Sequence, residues 1–337
     1  MAILEIDRLN IRHRSARGVA HTVENLSLSI ERGESLGLVG ESGCGKSTVA
    51  KAVVGTLPAA AQIVSGAVRC DGVDLLQLSP TARREHSWKQ VALVPQTAMN
   101  GFDPVYRIDQ QLDETLRAHG DMPAAERKAR LHELFELVGI PTDRLKSHPH
   151  EFSGGMRQRA MIAMALLFNP PVLIADEPTT GLDVLVQDQI MRRVKAIQAD
   201  RGMAILLISH DMALVAENCD RIAVMYAGRI VELGGRDVMR RPFHPYTLGL
   251  RNAFPDVSEH RSQLIAIPGS PPSLIDPPSG CRFRARCPFA TAKCLEDPPL
   301  VPVGGNHLAA CHYVDNIESM RTAAANAETW ARAAQTA

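Results

Sequence analysis

Ser35-Leu36-Gly37-Leu38-Val39-Gly40-Glu41-Ser42-Gly43-Cys44-Gly45-Lys46-Ser47-Thr48 is the stretch that decides the fold. A short apolar run stops at a glycine-rich octet, Gly40 to Ser47, spaced G-x4-G-K-[ST], and a helix-forming run follows. Chance yields this octet in about one chain in a hundred of average composition, and the flanking strand and helix lower that further. The glycines let backbone N–H groups curl around phosphate oxygens, while the helix behind them aims its unpaired donors and partial positive charge the same way. One helix end is worth only about 0.3–1 kcal/mol toward an anion. Lys46 must therefore bring a full charge to the β- and γ-phosphates, with Ser47 placed to ligate Mg2+. A plain glycine turn is the alternative, and the strand-loop-helix context disfavours it.

Outward from this loop, short apolar runs alternate with helix-period segments, which implies an α/β fold with a mostly parallel sheet covered on both faces. Strands are expected at Ser35–Val39, Gln90–Val94, Val172–Ala175, Ala204–Ser209 and Ile222–Tyr226. The interval between the second and third is too long for a bare crossover. It holds Leu131, Leu134, Phe135 and Val138 at helical spacing, so a helical subdomain is expected at about 97–170. A helix Asp183–Ala199 carries Val186, Ile190, Val194 and Ile197 on one stripe, and Gly202 stops it.

The apolar run Val172–Ala175 leads into Asp176-Glu177, two acids where open α/β sheets bind ligands. An Asp-Glu pair after a strand is usually a solvated strand end; downstream of the phosphate loop it gains a role. Asp176 is expected to hold Mg2+, and Glu177, ionised with an ordinary pKa near ~4.3, to orient the water that attacks the γ-phosphate. His210 follows the strand Ala204–Ser209 and is placed to hydrogen-bond the γ-phosphate. Gln96 follows Gln90–Val94 and is placed to meet the metal and the attacking water. Each is weak singly; together they converge on one crevice.

Composition narrows the class. Of 337 residues 45% are hydrophobic, enough for one large domain plus an addition, and 37 basic residues balance 37 acidic ones. No net basic field holds a nucleic acid, so no nucleic-acid partner is expected. No run approaches about 18 uninterrupted apolar residues and the first ten resemble no secretory leader. A cytoplasmic location is expected, with any membrane role arising through a partner. The seven cysteines should then be thiols or metal ligands.

Phe152-Ser153-Gly154-Gly155-Met156-Arg157-Gln158-Arg159 is a second glycine-rich helix start, with Ser153 as cap. Alone it reads as an ordinary capped helix. Between the phosphate loop and Asp176-Glu177 it resembles the signature of ABC ATPases, P-loop NTPases in which two nucleotide-binding domains close face to face. That resemblance implies that Gly40, Glu41, Ser42, Gly43, Cys44, Gly45, Lys46, Ser47 and Thr48 (Walker A) bind ATP. It implies that Ser153, Gly154, Gly155 and Gln158 cap the ATP of a partner protomer. Gln96 looks like the Q-loop glutamine, sharing Mg2+ with Ser47 and Asp176; Thr180–Asp183 looks like the D-loop, with Asp183 at its end; His210 looks like the switch histidine. His13 stands where the family stacks an aromatic ring on adenine.

The run His150–Met156, the stretch Ile174–Asp183, and the tail motifs His244-Pro245-Tyr246-Thr247, Ile267-Pro268-Gly269 and Gly280-Cys281-x-Phe283-x-x-Arg286-Cys287-Pro288 narrow the resemblance to oligopeptide/dipeptide importer ATPases. It departs at Phe102-Asp103-Pro104, usually Leu-Asn-Pro, and at Gly181, usually alanine. The family implies hydrolysis of ATP to power import of peptides or similar small solutes. The implied partners are a second ATPase subunit, paralogue or itself, two transmembrane permease subunits and an extracytoplasmic solute-binding protein. The implied location is peripheral, on the cytoplasmic face of the inner membrane. The alternative is a non-transport ABC ATPase of the DNA-repair or translation type, against which stand the absent coiled-coil insertions, tandem domains and basic linkers.

Residues 1–240 read as the nucleotide-binding domain, and 241–337 as a proline-punctuated extension. In the extension Cys281, Cys287, Cys294 and Cys311 are separated by five, six and sixteen residues. Those gaps match neither zinc ribbons nor small ferredoxins, so spacing names no metal. Family resemblance favours a 4Fe-4S cluster, with Zn2+ or free thiols as alternatives.

Overall fold

The computed structural model describes residues 2–96, 101–253 and 264–336. Residues 97–100 of the expected helical insertion and 254–263 of the expected extension lie outside them. Two sheets organise the described chain. In the smaller, β1 (Ala2–Ser15), β2 (Gly18–Glu31), β4 (Ala61–Cys70) and β5 (Val73–Asp74) pair antiparallel in the order β2-β1-β4-β5. Ile3, Leu4, Ile6, Leu9 and Ile11 of β1 are buried, and bulges shift its register to keep them inward.

The larger sheet contains the five expected strands: β3 (Ser35–Val39), β6 (Val91–Val94), β7 (Val172–Asp176), β8 (Ala204–Ser209) and β9 (Arg221–Tyr226). They run parallel in the order β9-β3-β8-β7-β6. Their near-continuous aliphatic residues are buried on both faces, as a parallel sheet between layers requires. A hairpin through Ala227 and Gly228, both at positive φ, turns β9 into antiparallel β10 (Arg229–Gly235).

Helices α1 (Lys46–Val54) and α2 (Pro80–His86) precede β6. Between β6 and β7 stand α3 (Ile108–His119), α4 (Ala124–Val138) and α5 (Gly154–Ala165). Ile108, Leu112 and Leu116 of α3 share a buried cluster with Leu131, Leu134, Phe135 and Val138 of α4. Next, α6 (Val184–Arg201) is capped by the Asp183 carboxylate, which accepts from the Val186 N–H at 3.0 Å, and ends at Gly202 in the left-handed region. Ile190, Val194 and Ile197 of the expected stripe are buried; Val186 is half-buried. α7 (Met212–Asn218) follows β8.

Beyond residue 240 the chain does not leave the sheet. After α8 (Pro245–Ala253) come β11 (Val301–Gly304) and β12 (His307–Ala309), and β12 pairs with β10, extending the sheet to the order β11-β12-β10-β9-β3-β8-β7-β6. The Ala-rich tail forms α9 (Ile317–Ala324) and α10 (Ala327–Thr336), fixed by Trp330, 2% exposed, whose indole N–H donates to the Ala324 carbonyl at 3.0 Å.

A charge cluster ties the two sheets to this region. Glu24 of β2 accepts from Arg229 of β10 at 2.6 Å and pairs with Arg282, whose guanidinium also donates to the Ala227 carbonyl. Burial raises the Glu24 carboxyl, but the Arg229 hydrogen bond and the charges of Arg282 and Arg229 outweigh it and bring it from 4.5 down to about 2. A depressed carboxylate stabilises the fold above its unfolded value and loses that contribution as pH falls through the folded one. Glu24→Gln should therefore cost about 1–3 kcal/mol of unfolding free energy at neutral pH. The deficit relative to the parent chain should shrink as pH falls from 4.5 toward about 2, as read from urea melts across that range.

Candidate nucleotide site

The carboxyl ends of β3, β8, β7 and β6 open at one edge of the sheet, where doubly wound folds bind ligands. At the end of β3 the chain must turn hard against its neighbours. A Cβ on Gly40, at φ 155°, would lie 2.1 Å from the Met225 carbonyl oxygen; one on Gly45, at φ 110°, 2.3 Å from that of Thr22. Only glycine fits either place. The Gly228 N–H donates to the Cys44 carbonyl at 2.9 Å, pinning the loop to the β9–β10 hairpin.

Gly45 is the cap of α1 and offers no side-chain acceptor to the helix's first N–H groups. Those donors face the loop, as an anion cradle requires. Lys46 is buried at 6% exposure, its ammonium donating to the Gly40 carbonyl at 2.7 Å and the Glu41 carbonyl at 3.0 Å. Carbonyls thus hold a charge that phosphate oxygens satisfy better.

Across the crevice, the Ser47 hydroxyl donates to Asp176 Oδ1 at 3.1 Å, joining two of the three expected magnesium ligands. Burial raises the Asp176 carboxyl above its ordinary value, opposed by that hydrogen bond. Glu177 sits at φ 49°, a left-handed conformation costly for glutamate and held by its N–H on the Ile208 carbonyl at 2.8 Å. Its carboxylate receives the Gln96 amide at 3.0 Å and the Thr180 hydroxyl at 3.0 Å, and lies 3.1 Å from His210 Nδ1. Burial is the largest influence on Glu177 and pushes its carboxyl up. Hydrogen bonds from His210 and Thr180 and the charges of His210 and Lys46 outweigh it and hold the group below its ordinary range.

The structure therefore gathers Lys46, Ser47, Gln96, Asp176, Glu177 and His210 at one edge. Ser153 lies elsewhere, capping α5 by accepting from the Met156 N–H at 3.2 Å. Gly155 has no room for a side chain because a Cβ would lie 2.6 Å from Val186 of α6. Gln158 is buried with its amide nitrogen unpaired. Asp183 is exposed beside the outward-facing Val184 and Leu185. His13 is half-buried on β1, paired in register with Ala20 and Ala61.

Sequence reasoning missed Thr180 as a direct partner of Glu177, and missed Tyr246 and Arg286 altogether as neighbours of the loop. The Glu41 N–H donates to the Tyr246 hydroxyl at 2.9 Å, and Arg286 grips the Glu41 carboxylate through both terminal nitrogens at 2.7 and 3.0 Å. No local spacing signals contacts made across more than two hundred residues.

Cys281, Cys287, Cys294 and Cys311 line one cavity with His244, Phe283 and Phe289. Burial raises the thiols of Cys281, to about 11, and of Cys287 and Cys311. Among the described residues no group of three or more His, Cys, Asp or Glu converges closely enough to hold a metal ion. That absence supports neither the zinc nor the 4Fe-4S alternative over the other.

A phosphate cradle and a metal-binding acid pair at the end of a parallel sheet, with a second glycine-rich helix start, define an ABC-type ATPase. Residues 23–180 match the ABC transporter family model, and residues 231–294 that of the oligopeptide/dipeptide transporter C-terminal region. The chain is 43% identical to a probable peptide ABC transporter ATP-binding protein, y4tR, of Sinorhizobium fredii, over 92% of this chain and 94% of that one. It is 42% identical to the oligopeptide transport ATP-binding protein OppD of Escherichia coli (92% and 93%) and 40% identical to the dipeptide transport ATP-binding protein DppD of Bacillus subtilis (87% and 88%). Among solved structures, cbiO1 of Clostridium perfringens, part of the ABC transporter complex cbiONQ, superposes with a TM-score of 0.61 at 27% identity, covering 71% of this chain and 93% of that one. A dimeric cassette bound to ADP and Pi superposes with a TM-score of 0.62 at 22% identity, covering 69% and 98%, a likeness of fold. The chain belongs to the oligopeptide/dipeptide family of ABC transporter ATP-binding proteins.

Gly45→Ala should abolish ATP binding in a chain that still folds, since the added Cβ displaces the loop from Thr22. Calorimetric titration with MgATP checks this, and parental affinity would exclude the loop as the cradle.

Proposed function

We propose that this chain hydrolyses ATP to power import of peptides or related small solutes through an ABC permease. Its relatives' names support the cargo class, and the convergence of Gln96, Thr180 and His210 on the Glu177 carboxylate carries the hydrolytic reading. Lys46 exchanges its carbonyl partners for the β- and γ-phosphates. Ser47, Asp176 and Gln96 would hold Mg2+, which when bound would supply positive charge to the phosphoryl oxygens. Glu177, kept ionised, accepts a hydrogen bond from the attacking water, and His210 stands beside it to contact the γ-phosphate. His13 stacks on adenine.

Ser153, Gly154, Gly155 and Gln158 serve a second protomer, a paralogue or a copy of this chain, whose ATP they cap, with Asp183 near the joint. Gln158's unpaired buried amide fits a site completed only on closure. Among the described residues no helix is long and apolar enough to cross a membrane. Two permease subunits then supply the passage and an extracytoplasmic binding protein the cargo, with this chain seated on the cytoplasmic face. Glu177→Gln should reduce phosphate release by two or more orders of magnitude while ATP still binds and dimerises the chain. Parental turnover in that variant would remove Glu177 from the mechanism.

We also propose that Cys281, Cys287, Cys294 and Cys311 hold a 4Fe-4S cluster. They share one mostly apolar cavity, and backbone N–H groups of Phe283, Phe289 and Tyr313 are directed at the sulfurs of Cys281, Cys287 and Cys311. Such bonds favour thiolate and tune cluster sulfurs. Protein purified without air should be brown and contain iron and acid-labile sulfide; colourless protein with stoichiometric zinc would overturn this reading.

A further inference from the structure

We infer that Arg286 and Tyr246 are positioning residues for nucleotide binding, setting the shape of the phosphate loop through Glu41. This rests on reading Gly40–Thr48 as the phosphate cradle.

Glu41 is the second residue of that loop, and its carbonyl is one of the two that hold the Lys46 ammonium. The same residue is gripped from outside twice. Arg286, with a side chain 6% exposed, binds both carboxylate oxygens in a fork, the geometry in which guanidinium adds direction as well as charge. Tyr246, fully buried, accepts the Glu41 N–H. Neither anchor is free to drift. Arg286 also donates through Nε to the Pro268 carbonyl at 2.8 Å and lies 5.9 Å from the centre of the Tyr226 ring. Tyr246 packs on Tyr226 and Phe283 with ring centres 4.5 and 5.4 Å away.

Three contacts thus converge on one loop residue: an ion pair and a hydroxyl from outside, and the catalytic lysine from within. The Glu41 carboxylate and N–H are turned to Arg286 and Tyr246 of the C-terminal region, so these two act on the loop through Glu41. They fix where the Glu41 carbonyl, and with it the Lys46 ammonium, rests before ATP arrives.

The test titrates the full chain with MgATP by calorimetry and measures steady-state hydrolysis. Arg286→Ala should raise Kd and KM for ATP about tenfold with kcat changed less than about twofold. Arg286→Lys, which keeps charge but loses the fork, should fall between. The double variant Glu41→Ala/Arg286→Ala should bind no worse than the weaker single variant, because both act through one contact. Additive losses would overturn the inference, since Arg286 would then act elsewhere. Should Arg286→Ala fail to fold, Tyr246→Phe, nearly isosteric, carries the same titration and should weaken ATP about threefold. Lys46→Ala separates the two levels. If it abolishes binding while the Arg286 and Tyr246 variants bind as the parent does, the inference falls and the cradle stands; if it binds normally, both fall.

Discussion

The closeness of Gly40 and Gly45 to the carbonyls of Met225 and Thr22 constrains everything at the site. Because no side chain fits there, the loop lies flat against β2 and the β9–β10 hairpin, and the first turn of α1 points its donors into the crevice. The antiparallel sheet is therefore one wall of the phosphate site. The strands bearing Asp176, Glu177 and His210 form the opposite side, their ends brought level by parallel register.

Within the crevice, charge is already balanced in anticipation of a ligand. Lys46 rests on carbonyls, Ser47 on Asp176, and Glu177 on Gln96, Thr180 and His210. Each of these bonds is one a nucleotide, metal or water can replace with a stronger one. The strained backbone at Glu177 belongs to the same economy, holding a carboxylate at a fixed point that relaxed geometry would not give it.

Much of the central sheet was legible because its signals are local. Five apolar runs, an octet of fixed spacing and a capped helix at Asp183 each announce themselves within a few residues, and Leu131 to Val138 show their face by periodicity. The antiparallel sheet was less legible: the bulges of β1 break the alternation that a strand reading depends on. The change of texture toward proline near residue 240 does not report pairing, so the joining of β12 to β10 was not legible from it. Tyr246 and Arg286 stayed hidden for a related reason, since their partner is specified by tertiary folding. The metal at the cysteines stayed open because cysteine spacing constrains topology weakly; folding brings all four to one cavity, which the spacing alone did not announce.

The pairing of β12 with β10 also carries a consequence for biogenesis. A ribosome finishes β10 well before it makes β12, so a nascent chain with its nucleotide loop complete still exposes an unpaired backbone rim. Such a rim is a template for wrong partners. Only when the segment near Ala309 emerges is it sealed, so premature termination in the tail threatens solubility of the whole ATPase as well as loss of its last cysteine.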